Sequence, residues 1–126
     1  MKAAILEKIT SLKENKEPLK ITEVPEPAIG DTEILVKVSA CGVCHTELDE
    51  MEGRTPPPVL PVILGHQVVG TVADAGKSAS KFKIGDRVGV GWIHSACGHC
   101  AACLFGNENL CADFKATGRD APGGYA

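Results

Sequence analysis

Short apolar runs, broken by proline, glycine and charge, set the rhythm of this chain. Residues 3–6 form a compact apolar run that predicts a strand. Residues 19–24 alternate, with Leu19 and Ile21 opposite Lys20 and Thr22, until Pro25 and Pro27 stop the pattern. Ile29-Gly30-Asp31 reads as a turn. Residues 33–39, β-branched and nearly continuous, give the clearest strand. The stretch 46–52 holds no breaker and predicts about two helical turns before Gly53 ends them. Pro56, Pro57, Pro58 and Pro61 then force a stiff, extended connection. Residues 68–73 predict another strand with its turn at Gly76, and residues 82–88 a turn feeding a strand that runs to Trp92. From Cys97 to Cys111 the periodicity is lost, and residues 118–126 carry loop chemistry. Several short strands without a strand–helix–strand rhythm predict a mainly β barrel or sandwich, not a doubly wound sheet.

Composition narrows the picture. At 126 residues the chain is one domain with room for a real core. Aromatics make up 4%, so that core must be built mostly from Val, Ile, Leu and Ala. A net charge of -3 provides no basic field for nucleic acid and no cationic stripe for a membrane surface. No apolar run approaches the roughly 18 residues of a membrane span, and the first residues lack a secretory pattern. A cytoplasmic address follows by default. In that reducing compartment six cysteines point to metal or catalysis before disulfides.

Two constellations carry the chemistry. Cys97, Cys100, Cys103 and Cys111 stand two, two and seven residues apart. Four thiolates converging from tight turns suit a tetrahedral zinc with no open position, a structural site. An iron–sulfur cluster is the rival, although the proline and three-residue gap of the bacterial ferredoxin run are missing; four free cysteines are the plainest alternative. With four sulfurs available, His99 is expected to be exposed. The second constellation is Cys44-His45-Thr46-Glu47, directly after a strand, with Gly65-His66-Gln67 directly before another. A thiolate and an imidazole are two of the three protein ligands of a catalytic zinc. A structural role for His66, or a redox pair of Cys41 and Cys44, also fits these residues.

The stretches ACGVCHTE at 40–47, GHQVVG at 65–70, GDRVGV at 85–90 and SACGHCAAC with Cys111 make the whole chain resemble one family. This is the N-terminal GroES-like domain of the zinc-dependent, medium-chain alcohol dehydrogenases. The resemblance implies a mainly β, partly open barrel with short helices and a cysteine lobe at about residues 95–112. It implies Cys44 and His66 as ligands of a catalytic zinc, and Cys97, Cys100, Cys103 and Cys111 as those of a structural zinc. Thr46 matches the hydroxyl that bonds the alcohol and passes its proton outward, and His45 the residue near the cofactor pyrophosphate and the relay. Glu47 matches an acid that orients the zinc-bound imidazole, and Trp92 an aromatic of the substrate pocket. Asp49 stands where many relatives end the relay with histidine, and Gln67 replaces the usual glutamate. Met51 and Thr55 suggest a roomier pocket, and Cys41 is a small packed residue.

The implied activity is oxidation of alcohols to aldehydes or ketones by hydride transfer to NAD or NADP, in a homodimer or homotetramer. The dinucleotide turn itself is not found: Gly89-Val90-Gly91-Trp92-Ile93-His94 is the nearest approach, with histidine in the third glycine position. The expectation is therefore that a Rossmann domain and the third zinc ligand lie outside residues 1–126, and that these residues alone are inactive. A stand-alone zinc-stabilised binding module is the competing function.

Overall fold

The computed structural model describes all 126 residues. Eight strands dominate: β1 (Lys2–Leu6), β2 (Leu19–Glu23), β3 (Ile34–Cys41), β4 (Val62–Ile63), β5 (Val68–Ala75), β6 (Arg87–Val90), β7 (Ile93–Ser95) and β8 (Lys115–Ala116). Two short helices, α1 (His45–Met51) and α2 (Ala101–Leu104), and a 3-10 turn at Glu108–Leu110 complete the secondary structure. The strands make three small sheets, ordered β2-β1-β4, β3-β5-β6 and β7-β8, and no closed barrel. Where strands were expected at 3–6, 19–24, 33–39 and 68–73, strands stand, with shifted ends.

The shifts have local causes. Glu33 is outside β3 because its Oε2 accepts the Gly30 N–H at 2.7 Å and closes the preceding turn. At its other end β3 runs on to Cys41, which pairs with Val68 of β5. The helix begins one residue earlier than expected, because Cys44 takes the N-cap position with extended backbone. The proline-rich connection leads into a paired segment. Ile63 and Val62 pair with Ile5 and Leu6 of β1, so a short β4 forms. The expected strand to Trp92 stops at Val90, and β7 resumes at Ile93 to pair with β8. The alternation in β2 does not bury its apolar face either: Ile21 is 69% exposed.

Packing concentrates around Leu6, Met51 and Leu64, with Leu12, Leu19, Leu60, Val62 and Tyr125 against them. Burying each of these large side chains contributes about 1.5–3 kcal/mol. Met51 thus belongs to the core. The last residues close the structure. Gly123 and Tyr125 donate backbone hydrogen bonds to Ile63 and Leu64, and Tyr125 accepts one from Ala4. This segment runs between β1 and the stretch leading to His66, and so braces the loop that carries it.

Candidate functional site

Sheet register brings the second constellation together. Cys41 and Val68 are antiparallel partners at one end of the β3–β5 pair. Cys44 lies three residues past that end on one chain, and His66 two residues before it on the other. Both residues therefore sit at the same end of the β3–β5 pair. Gly42 reinforces the junction by donating its N–H to the Gln67 carbonyl at 2.9 Å. Gly65 sets the turn into His66 with φ of 97°, a conformation open to glycine at little cost. A Cβ there would also fall 2.7 Å from Cys41 Sγ and from the Tyr125 ring.

Glu47 joins the two halves. Its side chain is fully buried. Glu47 Oε2 accepts the N–H of Cys44 at 2.8 Å, satisfying a donor at the start of α1. Glu47 Oε1 lies 2.8 Å from His66 Nδ1, although the approach is off the ring N–H direction and completes no hydrogen bond. With Nδ1 facing the acid, Nε2 of His66 is the nitrogen left for a ligand role. The imidazole is 7% exposed and meets Trp92 edge-on, ring centres 4.9 Å apart. Trp92 is held in turn by Thr117, whose N–H bonds the Trp92 carbonyl and whose hydroxyl bonds that of Gly91, both at 2.9 Å. Thr46 Oγ1 stands 3.6 Å from Cys44 Sγ. Gln67 is exposed and lies against Gly42. Cys41 packs toward Gly65 and Gly124, and burial pushes its thiol up from the ordinary value.

Two features of α1 escaped the sequence. Glu50 is 1% exposed with neither carboxylate oxygen partnered. Burial, then the charge of Glu47, raises it to about 7. The available signal was the spacing of Glu47, Glu50 and Met51, which puts all three on the buried face of the helix. On the exposed face, His45 Nδ1 is 3.3 Å from Asp49 Oδ1, and the Arg54 guanidinium bonds both Asp49 and Glu52. Glu52 also accepts the Leu12 N–H at 3.2 Å. The hydrogen bond from Arg54 holds Asp49 below its ordinary value.

The first constellation is a separate site. The sulfurs of Cys97, Cys100, Cys103 and Cys111 all lie within 4.8 Å of one another, the one convergence of three or more such donors in the chain. Cys97 Sγ and Cys103 Sγ are 3.9 Å apart. A tetrahedron of zinc–sulfur bonds near 2.3 Å has edges of roughly 3.8 Å, so the set fits zinc. No disulfide competes, since all six cysteines are free. The backbone N–H groups of His99 and Cys100 draw Cys97 down to about 6, whereas desolvation pushes Cys103 up to about 12. The backbone donors around Cys97 favour its thiolate, the form a metal needs. His99 is exposed, as expected. A groove of about 370 Å³, lined by Ile5, Pro58, Val59, Val62, Arg119 and Pro122 among others, touches neither site.

No helix is long and apolar enough to cross a membrane. Comparison with known proteins places the chain in a family. Residues 30–126 match the alcohol dehydrogenase GroES-like domain. An alcohol dehydrogenase of Geobacillus stearothermophilus is 46% identical over 127 aligned residues, covering the whole chain and 36% of that relative. Among solved structures, an NAD-dependent alcohol dehydrogenase superposes with a TM-score of 0.90 at 28% identity, over the whole chain and 36% of its own. A cobalt- and zinc-bound thermostable alcohol dehydrogenase of Pyrobaculum aerophilum gives 0.88 at 30% identity, over 99% of this chain and 37% of its own. This chain thus spans about a third of the length of the relatives it matches. With the cysteine lobe and the Cys44–Glu47–His66 junction in the order the resemblance implied, the chain belongs to the family of alcohol dehydrogenase GroES-like domains.

Proposed function

We propose that this chain is the zinc- and substrate-binding part of an alcohol dehydrogenase that oxidises alcohols to aldehydes or ketones with NAD or NADP. The observation that carries this reading is the Glu47 carboxylate, which holds the Cys44 backbone with one oxygen and faces His66 with the other. A buried acid placed this close behind an imidazole fixes the ring and raises its basicity as a ligand once the ring N–H turns onto it. Cys44 and His66 would hold a catalytic zinc, and Cys97, Cys100, Cys103 and Cys111 a structural one. When bound at the first site, zinc supplies Lewis-acid polarisation that makes an alcohol hydroxyl more acidic.

The remaining work belongs to side chains of this chain. Thr46, beside Cys44 Sγ, takes the hydrogen bond of the alcohol hydroxyl and passes the proton toward His45. His45 is exposed, so it can release that proton to water and can face a cofactor phosphate. Trp92 supplies an apolar wall next to His66. The exposed Gln67 leaves one negative charge fewer at the start of β5. The partners of the whole protein are a small alcohol or aldehyde and further copies of itself, as a dimer or tetramer.

The test is the full coding sequence that carries these residues, purified with zinc and assayed for NAD- and NADP-linked oxidation of primary and secondary alcohols. Activity is expected, and Cys44→Ser and His66→Ala should each abolish it while leaving the zinc of the cysteine lobe in place. Zinc-replete protein without any alcohol oxidation would leave the chain as a zinc-stabilised binding module.

A further inference from the structure

The end of α1 is built to aim one side chain. Gly53 follows the C-cap residue Glu52 with φ of 77°. Its N–H bonds the Glu50 carbonyl at 3.3 Å, and the Arg54 N–H reaches back to the Asp49 carbonyl at 2.8 Å. These two bonds are the paired closure of a Schellman turn. The turn folds Arg54 back along the helix, where its guanidinium meets Asp49 and Glu52 together. Glu52 is itself fixed by the Leu12 N–H. Asp49 Oδ1 therefore accepts from Arg54 Nε, and His45 Nδ1 lies 3.3 Å from the same oxygen. The charged groups acting on this cluster are Arg54, His45, Glu52, Glu50 and Lys13.

From this geometry we infer that Arg54 is a positioning residue, which locks Asp49 as a paired anion so that Asp49 orients His45 instead of accepting the relayed proton. A carboxylate held by a guanidinium in a charge-assisted hydrogen bond is a poor proton acceptor but a good anchor. It holds Nδ1–H of His45 inward and leaves Nε2 to face solvent or ligand. An acid that fixes a histidine tautomer without taking up its proton is an established division of labour in catalysis. In the proposed dehydrogenase, on which this inference rests, Asp49 then stands beside the proton path and does not end it.

The experiment uses the full-length, zinc-loaded protein with selectively labelled histidine and aspartate, and compares wild type, Arg54→Gln and Arg54→Lys. In wild type the His45 ring should carry its proton on Nδ1, and the Asp49 carboxyl signal should stay flat from pH 5 to 8. Arg54→Gln should mix the two His45 tautomers and lower kcat by less than the roughly 10²-fold minimum for losing a proton-transfer group, with KM for the alcohol unchanged. Arg54→Lys should restore the charge but only part of the tautomer preference, since the planar fork is lost. An Asp49 signal that titrates near neutral pH in wild type, or His45 tautomers identical in wild type and Arg54→Gln, would overturn the inference. Absence of alcohol oxidation in all three proteins would sink the dehydrogenase reading alone, because the ring and carboxyl signals are read without turnover. Arg54 is exposed, so Arg54→Gln should fold; matching thermal melts would show it.

Discussion

Glu47 shows how much one buried carboxylate can organise. Removing its charge while keeping its shape, as in Glu47→Gln, should weaken zinc at Cys44 and His66 by about 10- to 100-fold, the usual cost of altering a ligand's supporting acid. Chelator competition would show it, with the cysteine-lobe zinc as internal control; equal loss from both sites would mean a general unfolding. Thr46 and Asp49 should separate in the same protein. Thr46→Ala should cost alcohol turnover about 10²–10⁴-fold, and Asp49→Ala far less, because Asp49 positions and does not relay. Comparable losses would assign the proton to Asp49. Cys44, Thr46 and His66 could be picked out as candidates because their identities and order match a family. Arg54 was not legible, because its role arises from a turn that folds a distant position back onto the helix. Glu50 was missed although its spacing from Glu47 and Met51 places it on the same helix face, because a glutamate reads by type as exposed.

At the scale of elements, helix α1 is a place where burial and charge conflict. Glu50 is raised from 4.5 to about 7, chiefly by burial. The folded protein therefore binds this proton more tightly than the unfolded chain does. Between about pH 4.5 and 7 the native state keeps a proton that the unfolded state has lost, so stability falls as pH rises through that window. A shift of that size corresponds to roughly 3 kcal/mol as an upper value. Urea midpoints from pH 5 to 8 should fall in wild type and stay nearer level in Glu50→Gln, and parallel slopes in the two would refute this. The strands with β-branched runs could be read from pattern alone, since burial of one face enforces period two. β4, β8 and the helix inside the cysteine lobe could not. β4 and β8 are each two residues long and exist only because a partner lies alongside.

At the scale of the molecule, the two proposed metal sites differ in how much of each this chain contains. The cysteine lobe has all four ligands within fifteen residues, already converged to within 4.8 Å. Its own apolar residues do little to hold it, since Leu104, Phe105 and Leu110 are 73%, 83% and 70% exposed. Closing so short a loop around a metal requires little ordering of chain, and the bound ion replaces the missing core. Residues 95–112 should therefore lose amide protection first when zinc is stripped, as hydrogen exchange with and without a strong chelator would show. The Cys44–His66 site has only two strong ligands on these residues, and Cys41 does not converge with them. Residues 1–126 prepared by themselves should accordingly keep close to one zinc per chain after dialysis. Their Cys44→Ser variant should keep the same amount, while Cys103→Ser should lose metal and solubility. No alcohol oxidation is expected from this preparation with added NAD, because no turn of the dinucleotide-binding kind holds the hydride acceptor in place, and positioning is a large part of such a rate. A count near two zincs, or measurable oxidation, would show that the Cys44–His66 site completes its coordination from within these residues and would make Cys41 a candidate ligand.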